Sequence, residues 1–211
     1  MPPWIKEGAR AVLAPVVRGA LALHVTPNTV TVIGLAIVVA AAVVIWQGYL
    51  LAGAAVLIAG SLLDAVDGAL ARARGGGTDF GSFLDSTLDR AAEAVLYIGV
   101  AGYYLETSPD PTWPVLAAFV ALAGSFLVSY SHARAQDIGL SAAVGLAPRT
   151  ERLVLVIAGI GLAGLGYEPA LVGALIVIGV LTMVTVFQRI WHVWRLSENR
   201  RAGTSKENEE A

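Results

Sequence analysis

DAVDGALARARGGGTDFGSFLDSTLD, residues 64–89, is the stretch whose reading decides how this chain folds. It opens at the end of one long apolar run and closes inside the next. Asp64 and Asp67 are three residues apart, so on a helix they share a face. Asp85 and Asp89 are four apart and share a face of the following helix. Between them Arg72, Arg74, Gly75, Gly76, Gly77 and Thr78 make a glycine-rich turn that folds the second helix back onto the first. Two helices, each offering two carboxylates, can therefore converge on one acidic cluster. The rest of the chain has to account for it.

The surrounding composition says what medium that cluster sits in. Of 211 residues, 56% are hydrophobic and only 14% are charged. Soluble domains carry about 25% charged residues, so this is the composition of an integral membrane protein of one domain. With no cysteine, disulfides, thiolate metal sites and cysteine nucleophiles are excluded. A net charge of -2 gives no basic excess for a nucleic-acid partner. Pro2, Pro3, Lys6, Glu7, Arg10 and Pro15 interrupt the N-terminus, which does not read as a signal peptide.

Run lengths give the architecture. Residues 4–23 alternate apolar and charged positions, as in a helix lying in the membrane interface. About 20 apolar residues cross a bilayer, which places six spans near 29–47, 50–73, 81–105, 113–136, 150–167 and 169–194. The expected fold is all-α and polytopic, with six transmembrane helices after an N-terminal amphipathic interfacial helix. One membrane domain covers 1–196, and the polar segment 197–211 reads as a disordered tail. The connections near 47–49, 106–112 and 167–169 hold Glu106, Asp110 and Glu168 but no Lys or Arg; all fourteen basic residues fall on the other side. The positive-inside pattern then puts both termini and the acidic cluster on the cytoplasmic face of the cell membrane.

Carboxylates at a lipid-bounded helix end are costly unless paired or metal-bound. Hard oxygen donors suit magnesium, manganese or calcium, and four carboxylates suffice for two ions. Such a pair stabilises the attacking and leaving oxygens in displacement at phosphorus. The triple-glycine turn reads either as a tight helix connection or, with Arg72, Arg74 and Thr78, as a phosphate cradle.

Asp64-x2-Asp67-Gly68-x2-Ala71-Arg72-x8-Gly81-x3-Asp85-x3-Asp89 matches all eight fixed positions of D-x2-D-G-x2-A-R-x8-G-x3-D-x3-D. On these residues the chain resembles the CDP-alcohol phosphotransferase family, and the six spans and interfacial helix resemble it too. The resemblance implies that a CDP-linked lipid and an alcohol give a phosphodiester lipid and CMP. It implies two Mg2+ or Mn2+ ions per active site, one held by Asp64, Asp67 and Asp85, the other by Asp64, Asp85 and Asp89. Asp89 would also be the general base on the acceptor hydroxyl. The CDP-diacylglycerol contacts would be Asn28, Thr31, Asp67, Gly68, Arg72 and Thr78. Asn28 reads equally as a plain helix cap.

The second half bears on the acceptor. Ser129 and Arg134 end span four, Arg152 begins span five, and Arg189 and Arg195 end span six. Guanidinium groups from three helix ends would make a pocket for a phosphorylated acceptor, although a positive-inside face also needs basic residues as anchors. The segment Ser129-Tyr130-x2-Ala133-Arg134-Ala135, with Glu151-Arg152-Leu153 further on, is similar to the actinobacterial phosphatidylinositol phosphate synthases of that family. It departs from them at Ser131-His132 and at Pro148-Arg149. The acceptor so implied is inositol 1-phosphate, with glycerol 3-phosphate next and free inositol or serine after it. His132 reads as a polar helix-end residue. The resemblance also implies a homodimer, and Gly159, Gly161, Gly164, Gly173 and Gly179 allow close helix contact within or between chains. Membrane prenyltransferases also hold diphosphate on aspartate motifs, but lack the D-G-x2-A-R core. A cation transporter would continue its charges across the bilayer, and the extracellular halves of these spans hold none.

Overall fold

The computed structural model describes residues 26–73 and 76–209, apart from the side chains of 64–69, 71–73 and 201–209. The interfacial helix expected over 4–23 lies outside the described residues. The chain is all-helical: α1 (Pro27–Trp46), α2 (Leu50–Ala73), α3 (Asp79–Thr107), α4 (Thr112–Asp137), α5 (Arg149–Gly164) and α6 (Pro169–Glu209). Among the described residues, Pro27–Trp46, Thr112–Asp137 and Pro169–Arg200 are long and apolar enough to cross a membrane, and Leu50–Leu63 is a shorter apolar stretch. Large apolar side chains stay exposed along them, among them Val32, Val39 and Val43 on α1, Phe119 on α4 and Val177 and Val180 on α6. A water-facing surface does not leave such continuous stripes uncovered. This is a membrane protein.

The helices form two compact units, one ending at Glu106 and one beginning at Thr107. In the first, α1 starts with Pro27 at its first position, and the Thr26 side chain accepts from the Thr29 N–H at 3.2 Å. With no charge along its length, α1 buries one side, including Ala41, Ala42 and Ile45, and leaves the other to lipid. Gly99 of α3 lies so close to α1 that a Cβ there would come within 2.6 Å of the Ala42 carbonyl oxygen. Gly102, one turn on, is covered by the Trp46 ring, whose Nε1–H donates to Glu106 Oε1 at 2.5 Å.

In the second unit α6 is the spine. Gly124 of α4 faces Thr182, and a Cβ on Gly159 of α5 would meet Ala174 Cβ at 2.7 Å. Gly159 and Gly179 thus serve contacts within the chain, whereas Gly161 and Gly173 have nothing within 4 Å. The connection from α4 to α5, residues 138–148, has no regular structure, so its buried backbone groups need side-chain partners. α6 supplies them. Thr185 Oγ1 accepts from the N–H groups of Leu146 (3.1 Å) and Ala147 (3.2 Å) while donating to Leu181 O. Further along, the Arg200 guanidinium donates to the carbonyls of Ile138 (3.2 Å) and Gly139 (2.8 Å), which close the end of α4. The helix passes Leu196 and is assigned to Glu209. Its anchor is Arg200, a contact made across 61 residues of sequence.

Candidate active site

The first turns of α1 and α3 lie together. Thr78 caps α3, its Oγ1 accepting from the Gly81 N–H at 3.0 Å. A Cβ on Gly81 would sit 3.1 Å from both Asn28 Oδ1 and Thr78 Oγ1. The absent side chain at Gly81 is what lets Asn28 and Thr78 approach each other. Asn28 is not the cap of α1, since Thr26 takes that role. Thr31, one turn along, donates to the Pro27 carbonyl at 3.1 Å. Two helix N-termini, an amide and hydroxyl groups thus meet at one place, an arrangement suited to an anion.

Asp85 and Asp89 lie one turn apart on α3, both partly buried. Asp64, Asp67, Gly68 and Arg72 fall in the last turns of α2, with their side chains outside the described residues. Among the described residues, no three metal-ligating side chains gather. Asp85 and Asp89 offer hard carboxylate oxygens, the donor chemistry that magnesium and manganese take, so the described half fits the expected ions. Arg90 Nη2 lies 3.6 Å from Asp89 Oδ2, and its Nε lies 3.5 Å from Glu93 Oε2. The sequence reading passed over this Arg90–Glu93 pair, although its i, i+3 spacing is legible. It also passed over Asp79, a further carboxylate in the first turn of α3.

The second unit holds a basic site. Arg152 is buried (2% exposed) and donates from Nη1 to the Ala147 carbonyl at 2.7 Å. Arg189 donates from Nε to Val144 O at 2.9 Å and from Nη1 to Val128 O. Both guanidinium groups thus reach carbonyls of the same 138–148 loop, three residues apart. No carboxylate pairs with Arg189 among the described residues. On α4, Ser129 donates to the Ser125 carbonyl at 3.0 Å, and His132 keeps a buried Nδ1 with no partner among the described residues. Arg134 is exposed and pairs with Asp137 at 3.4 Å. Arg195 lies six residues past Arg189, so the two faces of α6 differ by about 120°; Arg195 stacks over Trp191 instead. Arg152 and Arg189 thus both hold the 138–148 loop, and Arg195 lines a groove with Val144 of that loop.

Residues 24–194 match the model of the CDP-alcohol phosphatidyltransferase family. The chain is 37% identical over 197 residues to the phosphatidylinositol phosphate synthase of Mycobacterium marinum, covering 91% of this chain and 84% of that one. It is 39% identical over 168 residues to the archaetidylinositol phosphate synthase of Methanothermobacter thermautotrophicus, covering 79% and 82%. Among solved structures, Mycobacterium tuberculosis phosphatidylinositol phosphate synthase with CDP-DAG bound superposes with a TM-score of 0.81 at 36% identity, over 87% of this chain and 94% of that one. The same enzyme in complex with manganese and citrate also gives 0.81 at 36% identity, over 86% and 88%.

Proposed function

The chain belongs to the CDP-alcohol phosphatidyltransferase family, and from that premise we propose that it transfers the phosphatidyl group of CDP-diacylglycerol to a hydroxyl of inositol 1-phosphate, releasing CMP. The observation that carries the choice of acceptor is the guanidinium pair Arg152 and Arg189. Both side chains donate to carbonyls of the 138–148 loop three residues apart, and an acceptor that carries its own phosphate offers an anion to the two guanidinium groups there. Free inositol does not. The buried Nδ1 of His132 gains a partner if that nitrogen carries the proton towards the same phosphate. Ser129 contributes an acceptor oxygen beside it, since its proton is engaged by Ser125. Arg134 adds charge from the rim.

In the reaction the acceptor hydroxyl oxygen bonds to the phosphatidyl phosphorus. The bond from that phosphorus to the CMP oxygen breaks, and its electron pair leaves with CMP. Asp89 takes the hydroxyl proton. Two divalent cations, Mg2+ or Mn2+, held by Asp64, Asp67, Asp85 and Asp89, would supply the charge stabilisation that displacement at phosphorus needs. Asn28, Thr31 and Thr78 hold the nucleotide, with Asp67, Gly68 and Arg72 from α2. Placing the nucleotide there is supported by the close first turns of α1 and α3 and by the relative solved with CDP-DAG bound.

We also infer six membrane crossings, an active site and both termini in the cytoplasm, and a homodimer. The charge asymmetry of the connections supports the orientation. Gly161 and Gly173, open in the single chain, leave room for a close contact with a second copy.

CMP release from CDP-diacylglycerol should stop in excess EDTA and return with Mg2+ or Mn2+; activity that survives chelation contradicts the metal assignment. A Gly81→Ala substitution pushes Asn28 and Thr78 apart. It should raise KM for the CDP-lipid about tenfold, the effect of losing one polar contact of ~1.4 kcal/mol, while KM for the acceptor stays put. Equal effects on both substrates would remove Asn28 and Thr78 from the nucleotide site.

A further inference from the structure

The polar end of α6 carries a groove of about 330 Å³, closed on the loop side by Val144, Gly145 and Leu146. Gln188, Trp191, His192 and Arg195 form one wall at i, i+3, i+4 and i+7 of the helix, and Leu146 of the 138–148 loop lies across from them. The Arg195 guanidinium stands 5.1 Å from the centroid of the Trp191 ring, which in turn packs 4.9 Å from Trp194. No carboxylate pairs with Arg195 among the described residues. The wall is therefore a cation fixed on an aromatic face, with an imidazole and an amide beside it.

Its depth identifies what lies opposite. From Pro169 to Gln188 the helix rises about 28 Å at ~1.5 Å per residue, close to the ~30 Å hydrocarbon thickness of a bilayer. Arg195 is then about 10 Å further on, in the head-group layer. The same turns expose Phe187 (70%), Ile190 (59%) and Trp191 (55%), an apolar surround that water does not favour and that lipid does. A soluble anion would meet the cation but leave that surround bare.

We propose that this groove binds the phosphate of an anionic membrane phospholipid, with Arg195 as its charge partner and Trp191 and Leu146 against the glycerol and upper acyl chain. The occupant differs from the acceptor in source, and the groove adjoins the Arg189 site, since Val144, whose carbonyl accepts from Arg189 Nε, also lines it.

The test is thermal unfolding of the full-length protein in neutral detergent, with dioleoyl phosphatidylglycerol, dioleoyl phosphatidylcholine or inorganic phosphate added. Phosphatidylglycerol should raise Tm by about 5 °C, and the other two should not. Arg195→Gln should lose at least half of that rise, and Arg195→Lys should keep most of it. An undiminished rise in Arg195→Gln overturns the proposal. So does an equal rise from phosphatidylcholine, or a rise from inorganic phosphate alone that Arg195→Gln removes, which would mark a soluble-anion site.

Discussion

Asp89→Asn should lower kcat by roughly a thousandfold or more, within the range that a positioned general base contributes and with the loss of a metal ligand added. The amide keeps the size of the carboxylate but neither takes a proton at neutral pH nor offers a charged oxygen to a cation. Its structural cost should be small. The ion pair between Arg90 and Asp89 is 3.6 Å long and partly open to solvent, a kind of pair worth at most about 1 kcal/mol. Arg90 also keeps Glu93 at 3.5 Å. Tm of the variant should thus stay within a few degrees of the parent while turnover vanishes. Near-normal turnover would remove Asp89 as the base. A collapse in Tm would instead assign the residue to the fold.

Arg152→Ala should raise KM for the phosphorylated acceptor about a hundredfold, the scale of removing one partner from a desolvated charge pair. The KM for CDP-diacylglycerol should change little, because the nucleotide is assigned to Asn28, Thr31, Asp67, Gly68, Arg72 and Thr78. The substitution also orphans the Ala147 carbonyl, so some stability is lost as well. Arg152→Lys separates the two effects. It restores charge without the planar fork that serves a carbonyl and a phosphate together, and should recover part of the acceptor affinity. If the affinity for CDP-lipid falls and that for the acceptor does not, the guanidinium pair is not the acceptor site.

The helices were legible because each is an apolar run between turns that local chemistry fixes. Thr26-Pro27 opens α1, Gly48 and Gly166 take positive φ after α1 and α5, and Pro148 precedes α5. Every helix begins within two residues of the position its apolar run predicts. The end of α6 was not legible, because residues after Leu196 carry no apolar pattern. What continues the helix is Arg200 reaching the carbonyls of Ile138 and Gly139, which composition cannot encode. Asp85 and Asp89 could be placed one turn apart because their spacing along a helix is itself the geometry. The arginines could not be sorted in that way. Arg189 and Arg195 both end the same apolar run, and only the rotation of α6 against the 138–148 loop directs one to the Val128 and Val144 carbonyls and the other to Trp191. Thr185, which holds that loop, looks in sequence like one more small polar residue in an apolar helix.

The central claim is that the family's metal-assisted chemistry is here directed to a phosphorylated inositol. Its most direct test is CMP release from CDP-diacylglycerol by the purified protein with Mg2+, offered inositol 1-phosphate, glycerol 3-phosphate, inositol or serine separately. Rapid release with inositol 1-phosphate, at least about tenfold above the other three in kcat/KM, is the result predicted by the guanidinium pair. Release that is fastest with an unphosphorylated alcohol would contradict it, leaving Arg152 and Arg189 as fasteners of the 138–148 loop.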